Sequence, residues 1–297
     1  MNRKNFLQNS ALAFGALSLA QKTILASLFE DPWKITMLRN DVGIFTERGG
    51  TIGFLLSKNG IVVVDSQFPD QSKNLIAELK KRSENPFKLL INTHHHGDHT
   101  AGNISFKDVV EHVLAHENSL KNQKRVAENQ KTEDKQLYPD QTYSNTWCQK
   151  FDKENICLSY HGPAHTDGDS IIHFEHANIA HMGDLMFNRR YPVIDRSAGA
   201  SIKNWITVLQ KAREKFDKET IYIFGHATEG YEVTGKQNDL QAFESYLQQL
   251  LNFVEAEIKA GKTKNEIVKA KEIPGNTEWK GNPERNLSVA YDELTAK

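Results

Sequence analysis

His94-His95-His96-Gly97-Asp98-His99 stands two residues beyond the apolar run Phe87-Lys88-Leu89-Leu90-Ile91. The run has the length and content of a buried strand, so the histidines occupy a loop where that strand leaves its sheet. The pattern is H-x-H-x-D-H. Four potential ligands on one short loop, His94, His96, Asp98 and His99, have room for two metal ions side by side. Imidazole together with carboxylate suits a borderline cation such as zinc, and two adjacent ions suit hydrolysis. A solvated histidine-rich loop is the plain alternative.

Two ions need more ligands than one loop supplies, so isolated His or Asp residues should close later strands. Ile156-Cys157-Leu158-Ser159-Tyr160 runs into His161-Gly162-Pro163-Ala164-His165. Asn178-Ile179-Ala180-His181-Met182 runs into Gly183-Asp184, and Ile221-Tyr222-Ile223-Phe224 into Gly225-His226. Each time a short apolar run ends in a small residue near a potential ligand, where a strand emerges from its sheet. Taken singly these are weak signals, since Gly-Asp is commonly a turn and Gly-His a strand end.

Their order after the first motif is specific, and through it the chain resembles the metallo-β-lactamase superfamily over about residues 40 to 260. The resemblance implies an α/β (α+β) fold, a four-layer αββα sandwich with its metals at one edge. It further implies a first metal on His94, His96 and His165 and a second on Asp98, His99 and His226. Asp184 would bridge the ions together with a hydroxide, and Asp98 would hold the second ion and orient that hydroxide, which gives both aspartates catalytic roles. One departure is informative. Many class B β-lactamases carry Cys, or a non-ligating Ser, where this chain has Asp184. A bridging Asp is typical instead of glyoxalase II-like thioesterases, lactonases, phosphodiesterases and alkylsulfatases.

The expected function is therefore an exported dizinc hydrolase acting on an ester, thioester, lactone, phosphoester or related small substrate, with iron or manganese as other candidate metals. The enzymatic alternative is a periplasmic class B β-lactamase. A non-hydrolytic di-iron module ranks third, because no flavodoxin-like segment accompanies the motif. For substrate binding the best candidate is Arg190 in Phe187-Asn188-Arg189-Arg190-Tyr191-Pro192, a guanidinium that could clamp an anionic group, with a surface Arg pair as the plain reading.

The remaining histidines are not recruited. His95, between ligands, is expected to point the other way by alternation. His116 ends a strand-like segment and reads as structural, while His112, His161, His173, His176 and His181 read as solvent-facing or strand-end residues, with support of the metal ligands left open for His161 and His181 near the metal loops. Asp65 closes Ile61-Val62-Val63-Val64 either as a turn former or as an acceptor steadying a ligand His.

A chain of 297 residues with 38% hydrophobic content can bury one large core. Its net charge of −1 gives no argument for a nucleic-acid partner, and a small-molecule substrate is expected. Arg3 and Lys4 precede a short apolar stretch ending in small residues near Ala20, the form of an export signal with a mature start between Gln21 and Leu28. Lys4 beside Arg3 leaves the export route open, and a retained amphipathic helix is the alternative. No stretch approaches the roughly 18 apolar residues of a membrane span. Cys148 and Cys157 flank a hairpin turning near Asp152-Lys153-Glu154-Asn155, where a cross-strand disulfide depends on the register.

Expected helices are Pro69 to Ser83, Ser201 to Phe216 and Lys236 to Lys259. The polar stretch from Glu117 to Glu133 reads as a solvated surface helix, with a flap over the metals as the alternative. The domain expectation is an export signal over 1–26, the hydrolase domain over 27–262 and a helical tail over 263–297.

Overall fold

The structure, a computed structural model, describes residues 32–296. The expected export signal and its cleavage site fall outside that range. The chain divides into a short unit, Met1–Lys34, and a large one, Ile35–Lys297, to which the following description applies.

The first sheet runs in chain order: β1 (Lys34–Arg39), β2 (Val42–Thr46), β3 (Ile52–Ser57), β4 (Gly60–Val64), β5 (Phe87–Asn92), β6 (Val110–His116) and β7 (Gln141–Tyr143). Tight turns make β2, β3 and β4 antiparallel. From β4 onward the pairs are parallel, which requires crossovers. The first crossover is helix α1 (Pro69–Arg82), with Pro at its start and Lys80, Lys81 and Arg82 in its last turn, where they face the negative end of the helix dipole. The one-turn helix α2 (Gly97–Thr100) follows β5, and α3 (Glu117–Gln130) follows β6.

In the second sheet β8 (Thr146–Phe151), β9 (Glu154–Ser159), β10 (Ile171–Phe174) and β11 (Ile179–His181) form an antiparallel meander. After β12 (Phe187–Asn188) and helix α4 (Ile202–Lys215), the chain returns as β13 (Ile221–Ile223), parallel to β11. The short β14 (His226–Ala227) pairs with β12, and β15 (Thr234–Gly235) pairs with β13. Helices α5 (Gln237–Lys259), α6 (Lys264–Ile267) and α7 (Glu284–Thr295) complete the chain.

Alternation along the strands decides which faces meet. Val62, Val64, Leu89 and Ile91 of the first sheet join Ile156, Leu158, Ile172, Phe174 and Ile223 of the second in one apolar layer. The intervening Val63 and Leu90 are also fully buried, on the side to which α1 brings its inner stripe of Leu75, Ile76 and Leu79. Strands apolar on both faces are what a helix-covered parallel sheet needs. On the far side of the second sheet, Ile171, Ala180, Tyr222 and Phe224 pack with Trp205 and Leu209 of α4 and Phe243, Leu247 and Leu250 of α5. The order helix, sheet, sheet, helix is the expected αββα sandwich. Beyond residue 262, Ile267, Ile273, Trp279, Leu287 and Ala290 enter this same outer apolar layer, and Trp279 stacks on Tyr246 at 4.4 Å between ring centroids.

The register places Cys148 directly opposite Cys157, and the two form a disulfide with a Cα–Cα distance of 4.2 Å. Helix α3 is less solvated than its composition suggests. His116 caps it, accepting from Asn118 N at 3.2 Å. Asn118 and Asn122 donate to Asp167, at its carbonyl and carboxylate respectively, and Gln123 donates to Asn92. Amide side chains thus let a polar helix dock, because the buried amides of Asn122 and Gln123 find partners.

Candidate metal centre

The parallel strands β4 and β5 of one sheet, and β11 and β13 of the other, deliver their C-terminal ends to the same edge of the sandwich. At the end of β4, Asp65 turns the chain with φ 67. Its carboxylate accepts from Thr93 N at 2.7 Å and Thr93 Oγ1 at 2.8 Å, and meets His99 Nδ1 at 2.7 Å. Asp65 is therefore both a turn former and an acceptor for a histidine of the metal loop. Helix α2 then folds that loop back on itself, Thr100 Oγ1 donating to the carbonyl of His96 at 3.1 Å. The fold brings Asp98 and His99 to one side and leaves His94 and His96 on the other.

Two groups of donor atoms result. His94, His96, His165 and Asp184 place one ligand atom each within 4.8 Å of one another, and so do Asp98, His99 and His226. In the first group His165 Nε2 lies 2.9 Å from His96 Nδ1. In the second, His226 Nε2 lies 3.1 Å from Asp98 Oδ2 and 3.4 Å from His99 Nε2. Asp184 stands between the groups and divides its oxygens. Oδ2 is 3.5 Å from His165 Nε2 and 3.8 Å from His94 Nε2, while Oδ1 is 3.0 Å from His99 Nε2 and 3.4 Å from His226 Nε2.

The outward ring nitrogens of His94, His96, His99 and His165 are fastened. Thr93 spends its hydroxyl hydrogen on Asp65, so its Oγ1 accepts from His94 Nδ1 at 3.0 Å. His99 Nδ1 donates to Asp65, His165 Nδ1 to the Val193 carbonyl at 2.7 Å, and His96 Nε2 to Asp195 at 3.0 Å. Proton-bearing outer nitrogens leave lone pairs on the inner ones, the arrangement of metal-ligating imidazoles. Inside the site, His94 Nε2 is buried with no hydrogen-bond partner. Orphaned donors of this kind are costly unless something else satisfies them, and a cation would. The residues fit a pair of divalent ions.

Electrostatics separate the two groups. Burial, with neighbouring imidazoles, holds the His94 pKa well below its ordinary value and takes His165 down to about 3 despite Asp184. In the other group burial again pulls down, but Asp184 and Asp65 prevail and raise His99 well above the usual range. Burial likewise opposes Asp184 and Asp98 at His226, which still rises to about 9. Asp184 is held far below the carboxylate range, against its burial, by His226 and His99. Without an ion these carboxylates keep protons on His99 and His226. A cation must displace those protons, so affinity for it should climb with pH toward about 9.

Glycine permits this crowding. A Cβ on Gly225 would lie 2.0 Å from Asp184 Oδ1, so the chain before His226 can pass this close only without a side chain. Gly225→Ala should displace Asp184 and lower metal affinity at least about tenfold in a chelator competition, with the circular dichroism of the fold retained. Unchanged affinity would mean the carboxylate can step aside.

His94, His96, Asp98, His99, His165, Asp184 and His226 are thus all gathered at the one edge. Arg190 is not. It is exposed and its backbone bridges Lys280, while Arg189 is drawn to Glu278 at 2.9 Å and against Trp279. His95 does turn away from both groups, as alternation requires, but it is buried rather than solvated. His181 ends β11, as one half of the reading has it, but does not face solvent. It is fully buried between the sheets, its Nε2 3.0 Å from the Thr51 carbonyl and its Nδ1 accepting from Gly183 N at 3.1 Å. The sequence reading passed over Asp195. Its only local signal is an Asp two residues before Ser197, the pattern of a turn cap.

Residues 45–226 match the sequence model of the metallo-beta-lactamase superfamily. Metallo-beta-lactamase IND-1 of Chryseobacterium indologenes is 24% identical over 183 residues, spanning 58% of this chain and 70% of that protein. Metallo-beta-lactamase type 2 of Bacillus cereus is 24% identical over 207 residues, 66% of this chain and 77% of that one. Among solved structures, a metallo-beta-lactamase from Pontibacter korlensis superimposes with a TM-score of 0.58 at 19% identity, covering 73% of this chain and 99% of its own. A double mutant of the sec-alkyl sulfatase PisA1 gives a TM-score of 0.67 at 14% identity, covering 88% of this chain and 50% of its own.

Proposed function

Because the chain belongs to the metallo-β-lactamase superfamily, its hydrolase family, we propose that it binds two zinc ions and cleaves an ester, thioester, lactone, phosphoester or related small substrate. The observation that carries this reading is the division of Asp184, one oxygen toward each group of donors. A single tetrahedral zinc would need neither the second group nor a carboxylate shared between them. His94, His96 and His165 would hold one ion and Asp98, His99 and His226 the other, with Asp184 between. When bound, such ions lower the pKa of water and polarise the bond under attack.

The chain's own residues supply the rest. Asp98 is the most open of the group, its side chain 32% exposed, and can accept a hydrogen bond from the attacking water while His226 fixes its orientation. Phe187 stacks on His226 with ring centroids 5.4 Å apart and walls the site against solvent on that side. Arg190, exposed on the stretch that follows β12 and outside the gathered ligands, is the candidate contact for a distal anionic group of the substrate. Arg190→Ala should then raise KM for an anionic substrate roughly ten- to a hundredfold and spare a neutral analogue. Equal losses on both would remove Arg190 from recognition.

Turnover of a panel of thioester, lactone, phosphodiester, sulfate ester and β-lactam substrates tests the reading. Chelator-sensitive hydrolysis of an ester-class substrate is expected. Preference for the β-lactam would favour the second reading, a β-lactamase, which the names of the relatives support. The export-like N-terminus and the Cys148–Cys157 disulfide together support an oxidising, extracytoplasmic compartment. No helix among the described residues is long and apolar enough to cross a membrane.

A further inference from the structure

We infer that Asp195 is a positioning residue that fixes His96 in its metal-binding tautomer and ties it to His165. The inference rests on the two-ion reading above. A carboxylate only accepts, so Asp195 Oδ2, 3.0 Å from His96 Nε2, requires the ring hydrogen on that nitrogen. The lone pair is then left on Nδ1, the atom that faces His165 Nε2 at 2.9 Å. Asp195 also grips the second ligand, its backbone N donating to the His165 carbonyl at 3.1 Å. One residue therefore sets two of the three histidines of the first group, although 99 positions separate it from His96.

The grip is rigid. Asp195 Oδ1 accepts from Ser197 N at 3.0 Å, Ser197 Oγ at 2.5 Å and Ala198 N at 3.3 Å, which caps the 3-10 turn Arg196–Ala198 and locks the carboxylate rotamer. Oδ2 is left for imidazole alone. His95 adds to it, with its Nε2 3.6 Å from Oδ2 and its ring buried. The histidine between the ligands thus backs the carboxylate that orients its neighbour.

The same three side chains could be read as a third cation site, since their ligand atoms cluster within 4.8 Å. Occupying it would force His96 to give up its last ring hydrogen and bridge two cations. Positioning is the reading the geometry supports.

The test measures zinc stoichiometry and affinity by chelator competition on the full chain, for wild type, Asp195→Asn, Asp195→Ala and Ser197→Ala. Nitrogen-15 NMR of the histidine rings accompanies it. Wild type should bind two ions and show His96 with hydrogen on Nε2. Asp195→Ala should weaken one ion about ten- to a hundredfold and leave the other unchanged. Asp195→Asn, which keeps the volume, should weaken the same ion less, and the fixed His96 tautomer should be lost in both. Ser197→Ala removes one of the three contacts to Oδ1 and keeps both backbone ones, so it should weaken the same ion less than Asp195→Ala does.

Unchanged affinity and tautomer in both Asp195 variants would overturn the inference while leaving the two-ion reading intact. Equal weakening in Ser197→Ala would overturn it too, by reducing Asp195 to a turn cap. Three ions in wild type, falling to two in Asp195→Ala, would replace it with a third cation site. A wild type that binds no zinc would sink the two-ion reading and this inference with it.

Discussion

Asp184→Asn should leave the protein with one weakly held ion and cut turnover at least about tenfold. The substitution keeps the volume, so the packing around the buried Asp184 is preserved. It fails electrostatically. An amide offers one oxygen and one NH2, and the NH2 has no lone pair for a cation. Whichever way the amide turns, either the His94–His165 side or the His99–His226 side faces hydrogens where Asp184 now presents oxygen. The charge that balances two dications is lost as well. Metal content by elemental analysis and turnover on the best substrate of the panel check this together. Two tightly held ions and unchanged turnover in the variant would show that Gly183-Asp184 is only a turn.

His96→Ala should release the first ion and reduce hydrolysis by more than the roughly 10- to 100-fold typical of losing an outer partner of a metal ligand. His96 is the cleaner target than His165. Its side chain is 22% exposed, so truncation opens little cavity. His165 is fully buried, packs against Trp205 and Phe187, and satisfies the Val193 carbonyl, so its removal would damage the core as well as the site. Zinc content, circular dichroism and turnover separate the two effects. A folded His96→Ala protein with full activity would contradict the assignment.

The elements visible in the sequence are those with long periodic signals. The run from Phe87 is strand β5, and the helices expected from Pro69, Ser201 and Lys236 appear within a residue or so of their places. The metal loop was equally legible, because its donors are crowded into six residues that no packing pattern would select. Features made by tertiary contact were not legible. β12 and β14 are two residues each and carry no period, yet their pairing brings His226 beside the loop that leaves Asp184. His181 alternates like an outward residue, but both sheets close over it and its two nitrogens find backbone partners. Asp195 has no motif at all. Its meaning depends on folding distant loops together until a carboxylate that caps its own turn also meets His96.

The most direct test of the two-ion centre is anomalous diffraction at the zinc edge from crystals of protein purified without added metal. The account predicts two peaks about 3.5–4 Å apart on either side of the Asp184 carboxylate. One should lie among His94, His96 and His165, the other among Asp98, His99 and His226. A single peak on one side, or none at Asp184, would contradict it.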